Sequence, residues 1–147
     1  AVAHVFDAAV HAAAVKQLAR NDSENHRLVT VWATWCLTCV AELPEFVTIN
    51  RMYRGRDFEL ITISLDKRSM LDEARQVLEK NHVSSKNYLF ESGDQDELAE
   101  ALDSQWPGPV PYTLLIAPGG KVVYRKSGEI NPRELKKVLA DHLGRTY

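Results

Sequence analysis

The chain has 147 residues, of which 45% are hydrophobic and 26% charged, and its formal net charge at pH 7 is −2. This length and composition are typical of a single globular domain covering residues 1–147. Acidic and basic residues are mixed along the chain, and no apolar run reaches the roughly 18 residues that suggest a membrane span. We therefore expect a monomer without a nucleic-acid partner, and no membrane span within this chain.

The hydrophobic pattern predicts alternating helices and strands. In chain order we expect a helix over 7–20, a strand over 28–33, a helix after residue 36, a strand over 58–65, a helix over 69–81, a strand over 88–90, a helix over 94–102, a hairpin from 112–117 and 121–126, and a helix over 131–144. A strand, helix and strand followed by a terminal hairpin and helix indicate an α/β sandwich with a mixed central sheet.

Two helix starts carry capping signals. Ser69 and Asp72 have the spacing of a capping box, which predicts that Ser69 caps the helix behind it. Asn131 precedes Pro132, a residue favoured in the first turn, and Glu134 stands three positions after it. We expect Asn131 to cap the last helix.

The segment VWATWCLTCVAELP, residues 31–44, holds both cysteines of the chain. Cys36 follows a predicted buried strand and precedes a helix, so it lies at a helix N-terminus, where unpaired N–H groups and the helix dipole stabilise a thiolate. Cys39 lies one turn further on, close enough to attack a mixed disulfide formed on Cys36. This spacing predicts an attacking thiol and a resolving thiol.

Two other interpretations of the cysteine pair are weaker. A structural disulfide that closes so short a loop constrains the unfolded chain little. A structural zinc site normally needs four ligands, and the sequence has no second cysteine pair. We therefore expect redox chemistry carried by the dithiol itself, with no metal and no organic cofactor.

Two motifs give the chain a resemblance to a known family. WATWCLTC, followed by Glu42 and Pro44, resembles the active site of the thioredoxin superfamily, and in particular of the TlpA/ResA-like thiol:disulfide oxidoreductases. Val110-Pro111-Tyr112-Thr113 and the hairpin behind it resemble the cis-proline strand of the same family. The resemblance covers about residues 28–143 and implies a thioredoxin-like three-layer α/β sandwich.

The resemblance also implies roles for residues near the cysteines. Pro111 would follow a cis peptide bond beside the disulfide, and Val110 would pair with an extended substrate strand. Trp35, interpreted from its position directly before Cys36 and not from the resemblance, would form an apolar platform on which a partner docks, would cap the strand as a half-buried hydrophobic residue, or would do both. Glu42 would exchange protons with Cys39, although an ordinary solvated helix glutamate is the alternative interpretation.

The chain departs from the family at three places. Thioredoxins carry a buried aspartate six residues before the first cysteine, and Thr30 stands there. Thr38 occupies the position before the second cysteine, which is commonly proline. TlpA-like proteins typically begin with a β-hairpin, whereas residues 7–20 have a helical pattern.

The sequence thus predicts an enzyme that exchanges disulfides with protein substrates, more in the reducing than in the oxidising direction. By resemblance it would lie outside the bacterial cytoplasm, receive electrons from a membrane-bound thiol donor, and serve c-type cytochrome maturation or general thiol upkeep. Two alternatives are considered. A peroxiredoxin has a proline seven residues and a threonine three residues before its reactive cysteine, but Val29 and Ala33 stand at those positions here. The other alternative is a thioredoxin-fold binding module with an inert dithiol.

Overall fold

The computed structural model describes residue 6 and residues 8–145. The strands are β1 (Ala8–Val10), β2 (His26–Trp32), β3 (Phe58–Ser64), β4 (Lys86–Phe90), β5 (Tyr112–Ile116) and β6 (Val122–Ser127). The helices are α1 (Ala12–Arg20), α2 (Leu37–Tyr53), α3 (Leu71–Lys80), α4 (Gln95–Leu102) and α5 (Pro132–Leu143), with a 3-10 turn over Arg68–Met70.

The six strands form one sheet in the order β1-β4-β3-β2-β5-β6. The β1/β4, β4/β3 and β3/β2 pairs are parallel, whereas β5 is antiparallel to β2 and β6 is antiparallel to β5. The mixed central sheet predicted from the sequence is therefore confirmed. The carboxyl ends of β2 and β3 meet at one edge, and Tyr112 at the start of β5 lies opposite Val31 near the same edge.

Helices cover both faces of the sheet. Val15 of α1 and Leu98 of α4 pack on one face with Val29 and Ile61. On the other face, one cluster joins α2 and α5 to the sheet, and a second joins α2 and α3 around Trp32. Alternate strand residues point to opposite faces, so each of these strands contributes to both layers of the core.

The first predicted helix is wrong over its N-terminal part. Residues Ala8–Val10 form β1, which pairs with β4, and the backbone N–H of Glu91 donates to the Val10 carbonyl at 2.8 Å. The helix begins only at Ala12, and Asp7 lies outside the described residues. Alanine favours helices when the sequence alone is considered, but here the backbone hydrogen bonds offered by the edge of β4 outweigh that preference.

The predicted Ser69 capping box is also wrong. Residues Arg68–Met70 form a 3-10 turn, and α3 begins at Leu71 with Met70 at the N-cap position and no side-chain cap. Asp72 instead forms an ion pair with Arg75 at 3.0 Å. The 3-10 turn moves the start of the helix past Ser69, so the serine no longer occupies the capping position.

The C-terminal elements follow their predicted signals. The Asn131 side chain accepts hydrogen bonds from the backbone N–H groups of Arg133 and Glu134, both at 3.1 Å, and Pro132 is the first helical residue. The β5–β6 hairpin turns at Gly119 and Gly120, and Gly120 has φ +97° with the Arg20 carbonyl 3.0 Å from where a Cβ would stand. That close approach requires a glycine.

Candidate active site

The two cysteines lie where the chain turns from β2 into α2. Cys36 is the N-cap residue of α2, and its sulfur accepts a hydrogen bond from the Cys39 backbone N–H at 3.2 Å. The cysteines are joined by a disulfide with their Cα atoms 5.3 Å apart. The predicted pairing of the two thiols is therefore present, at the helix N-terminus where a thiolate would be stabilised.

The two sulfurs differ in their exposure. Cys39 is 1% exposed and lies in an apolar cluster with Trp32 and Leu43, whereas Cys36 is half-buried at the surface of that cluster. Only Cys36 is thus accessible to another macromolecule. This difference in exposure is the one that the predicted roles, attack by Cys36 and resolution by Cys39, require.

Two large exposed hydrophobic side chains flank Cys36 at the start of α2, and a third precedes α3. In the described part of the chain these are Trp35 at 65% exposed, Leu37 at 85% and Met70 at 36%. Trp35 precedes Cys36, Leu37 follows it, and Met70 precedes α3, which packs beside α2. An apolar surface at a reactive disulfide suits the docking of a polypeptide. Trp32, by contrast, is buried in the core.

The Val110–Pro111 peptide bond is cis, as the resemblance implied. Extending the β2/β5 register beyond the Val31–Tyr112 pair places Pro111 and Val110 beside the end of β2. Val110 packs against the same apolar cluster as Cys36. Among residues 6 and 8–145, no hydrogen bond involves the backbone of Val110.

Side-chain contacts fix the loop that leads to Pro111. Trp106 is 4% exposed, stacks on Tyr112 with ring centroids 5.4 Å apart, and donates its indole N–H to the Pro109 carbonyl at 2.9 Å. Asp103 accepts from the Tyr112 hydroxyl at 2.6 Å and from Arg125 Nε at 3.0 Å. Trp106 is thus a packing residue of this loop.

Asp103 is the residue that joins this loop to β5 and β6 through its carboxylate. Burial favours its neutral form, but the hydrogen bonds from Arg125 and Tyr112 outweigh burial and hold the pKa of Asp103 below its ordinary value. The carboxylate therefore stays ionised near neutral pH, and the loop stays attached to β6.

Glu42 is buried one helical turn beyond Cys39. It is 6% exposed, and its Oε2 atom accepts from the Ile130 backbone N–H at 3.0 Å. Its Oε1 atom is buried without a hydrogen-bond partner among the described residues. Burial raises the pKa of Glu42 from 4.5 to about 7; the Ile130 hydrogen bond opposes this shift and the charge of Glu129 adds to it. The solvated alternative is therefore wrong, and Glu42 can exchange protons near neutral pH.

Comparison with known proteins establishes the family to which the chain belongs. A family model described as Redoxin matches residues 8–141. The chain belongs to the Redoxin family. This membership, together with the similarity to ResA proteins, confirms the predicted likeness to the TlpA/ResA-like branch of the thioredoxin superfamily.

Relatives of this redoxin include two curated bacterial proteins. It is 25% identical over 114 residues to the thiol-disulfide oxidoreductase ResA of Oceanobacillus iheyensis, covering 78% of this chain and 55% of that protein. It is 33% identical over 113 residues to the thiol:disulfide interchange protein DsbE of Vibrio cholerae, covering 77% of this chain and 55% of that protein. The redoxin chain thus spans about half the length of the curated relatives it matches.

A solved structure confirms the fold of the redoxin. The chain matches the crystal structure of a thiol:disulfide interchange protein of the thioredoxin family from Chlorobium tepidum TLS with a TM-score of 0.68. The two share 19% identity over 90% of this chain and 85% of that one. The predicted thioredoxin-like sandwich is therefore confirmed.

The buried residue Thr30 distinguishes this redoxin from a thioredoxin. Thr30 is buried where a thioredoxin has its aspartate, and its hydroxyl accepts from Thr113 at 3.5 Å. In the described part of the chain, the buried carboxylates are Glu42 and Asp66. Sequence reasoning missed Asp66, although an aspartate directly behind the apolar run FELITISL, at the same edge as the end of β2, was a usable signal.

Other features lie away from the disulfide or make no site there. A cavity of about 580 Å³ opens between α1 and the sheet and is lined by Arg27, Glu59 and Lys86 among others, none of them from the segment that holds the cysteines. Among residues 6 and 8–145, no three His, Cys, Asp or Glu side chains are grouped to bind a metal ion. None of the described helices is both long and apolar enough to cross a membrane.

Replacing Thr38 with proline is expected to lower the reduction potential by about 30 mV, a tenfold change in the redox equilibrium. Thr38 is exposed in the first turn of α2, where proline is tolerated, and the change removes an N–H group near the Cys36 sulfur. The measurement is equilibration with glutathione buffers. Thr38→Ala, which keeps the N–H, is the control; equal shifts in the two variants would contradict the explanation.

Proposed function

We propose that the chain is a thiol:disulfide oxidoreductase that acts on protein substrates. One observation carries the proposal: the Cys36–Cys39 disulfide joins an accessible sulfur at the start of a helix to a sulfur buried one turn behind it. Membership of the Redoxin family and the names of the relatives support the same activity.

In the reducing direction, the reaction begins on Cys36. Its thiolate attacks a substrate disulfide, a bond forms between Cys36 and one substrate sulfur, and the other substrate sulfur leaves as a thiolate and takes up a proton. Cys39 then loses its proton and attacks the Cys36 sulfur. The Cys36–Cys39 bond forms and the second substrate thiol leaves. Two electrons pass from the dithiol to the substrate, so the reaction needs no metal and no organic cofactor.

Glu42 is the proposed proton acceptor for Cys39. Cys39 is buried, so its thiol has no water shell that could take the proton. Glu42 is the buried carboxylate on the same helix, and its pKa of about 7 lets it gain and lose a proton near neutral pH. In the reverse direction the same carboxyl group would return the proton.

Val110 and Trp35 are the proposed substrate contacts. Because no hydrogen bond in the described part of the chain engages the Val110 backbone, an extended substrate segment can pair with it beside Pro111. Trp35 offers the exposed apolar surface next to Cys36. Together they would hold a substrate cystine over the accessible sulfur.

The setting that we propose is outside the cytoplasm of a bacterium, with a membrane-bound thiol as electron donor and reduction as the direction. The support is the similarity to ResA and DsbE proteins. Cytochrome c maturation and general thiol upkeep are the biological roles consistent with that setting.

The reactivity of Cys36 tests the function against a binding module with an inert dithiol. The protein is reduced, freed of reductant and labelled with iodoacetamide between pH 5 and 9. We expect Cys36 to label with a half-maximal rate below the pH of about 8.5 that is typical of a free cysteine, and Cys39 to label slowly until the protein is unfolded. Slow labelling of Cys36 with an ordinary cysteine titration would support the binding module and reject the enzyme.

A further inference from the structure

Asp66 is a buried carboxylate that the chemistry above leaves without a role. It is 1% exposed and lies two residues beyond the end of β3. The backbone N–H of Leu65 donates to the Trp32 carbonyl at 2.9 Å, which extends the pairing of β3 and β2 past their last residues. This pairing brings Asp66 beside the turn that connects β2 to Cys36.

The hydrogen bonds of Asp66 are directed to that turn. The Thr34 backbone N–H donates to both carboxylate oxygens, at 3.0 and 3.2 Å, and the Thr34 hydroxyl donates to Oδ1 at 2.6 Å. The Ser64 hydroxyl donates to Oδ2 at 2.7 Å and in turn accepts from the Asp66 backbone N–H at 2.9 Å. Both carboxylate oxygens thus have donors, as a buried polar group requires.

Thr34 is the residue of this turn whose N–H and hydroxyl groups bind the Asp66 carboxylate. The turn starts at buried Ala33, whose carbonyl accepts from the Cys36 backbone N–H at 3.1 Å, and Trp35 between them is 65% exposed. Trp35 therefore gains little from packing, and Thr34 is held by Asp66. Two residues later Cys36 must lie at the N-cap of α2, where its sulfur accepts from the Cys39 N–H.

We propose that Asp66 is a positioning residue for disulfide exchange: by holding Thr34 it fixes the Cys36 sulfur at the N-terminus of α2 and the Trp35 side chain at the surface. The proposal rests on the proposed function, because it concerns the reactivity of Cys36. A direct effect of the Asp66 charge would have the opposite sign, since a nearby negative charge disfavours a thiolate.

The test compares Asp66→Ala with Asp66→Asn. The alanine variant removes the acceptors, so Cys36 should need a higher pH for iodoacetamide labelling. Its equilibrium with glutathione should shift about tenfold towards the oxidised protein, because the thiolate loses its stabilising position. The asparagine variant should behave like the original protein, because an amide oxygen at the Oδ1 position still accepts from the N–H and hydroxyl groups of Thr34, while the Ser64 hydroxyl can turn to accept from the NH₂ group at the Oδ2 position.

Asp94→Ala is the matched control. Asp94 caps α4 by accepting from the backbone N–H groups of Asp96 and Glu97, on the other face of the sheet from α2. Its loss should lower stability without moving the labelling profile or the glutathione equilibrium. If Asp66→Ala fails to fold, Thr34→Val, which removes only the hydroxyl donor, should shift both readouts in the same direction by a smaller factor.

Three results would overturn the proposal. The first is an unchanged labelling profile and glutathione equilibrium in a folded Asp66→Ala variant or, where that variant does not fold, in Thr34→Val. The second is a shift in Asp94→Ala as large as the shift in Asp66→Ala. The third is labelling of Cys36 at a lower pH in Asp66→Asn, which would show that the charge acts directly. None of them removes the proposed function, which depends on the labelling of Cys36 in the original protein. Failure of the positioning role and failure of the enzyme are thus distinguishable.

Discussion

Replacing Cys36 with serine is expected to abolish the reduction of insulin disulfides, lowering the rate by at least about a thousandfold. Cys36 carries the accessible sulfur, and a serine hydroxyl at that position is not ionised near neutral pH. Cys39 cannot substitute for it, because it is 1% exposed beneath the helix start. The measurement is insulin precipitation in the presence of dithiothreitol.

Replacing Cys39 with serine gives the complementary result. Cys36 should still attack, but no thiol remains to resolve the mixed disulfide, which should accumulate and be visible by mass spectrometry under non-reducing conditions. The double variant, in which both cysteines are serine, is the control and should trap nothing. Insulin reduction that survives in the Cys36→Ser variant, or a mixed disulfide that accumulates on Cys39 in that variant, would contradict the assignment of the two roles.

Replacing Glu42 with glutamine is expected to change how stability depends on pH. Because burial raises the pKa of Glu42 from 4.5 to about 7, the folded protein binds a proton more tightly than the unfolded chain. The free energy of unfolding should therefore fall as pH rises from about 4.5 to about 7, and the difference in pKa corresponds to roughly 3 kcal/mol at most. Glutamine does not titrate, so the variant should lack this loss.

Chemical denaturation at pH 5 and pH 8 measures the effect. Glu45→Gln is the matched control, since Glu45 lies on the same helix with its side chain 42% exposed and 3.8 Å from Lys136. It should leave the pH dependence nearly unchanged. Glu42→Gln should also slow the attack of Cys39 on the mixed disulfide. The dependence of that rate on pH should lose its inflection near pH 7 in this variant. An identical pH dependence in the original protein and the Glu42 variant would mean that Glu42 is not the titrating group.

The chemistry-bearing residues could be predicted from short stretches of sequence. The Cys36–Cys39 spacing and the strand before it place both sulfurs at a helix start, and that local pattern was sufficient. The Asn131 cap and the glycines of the hairpin turn could likewise be predicted from residues that are adjacent in the sequence. For Pro111, the family resemblance was needed to predict the cis bond.

What the sequence did not reveal depends on partners that are distant along the chain. Ala8–Val10 became a strand because β4, some 80 residues later, offers it an edge. The burial of Glu42 depends on Ile130, and the placement of Trp106 depends on Tyr112 and Pro109. Asp66 contacts a turn 32 residues away. Neither periodicity nor spacing encodes such contacts, so the surroundings of these side chains could not be predicted from the sequence.

The two outer strands of the sheet have a consequence for solubility. In the described part of the chain, β1 at one edge is three residues long, and β6 at the other carries the cations Arg125 and Lys126. Short or positively charged edges discourage the sheet-to-sheet association that leads to aggregates. If the Val110 backbone beside Pro111 binds an extended substrate as proposed, the sheet can thereby offer that contact while its two outer strands discourage association between copies of the chain.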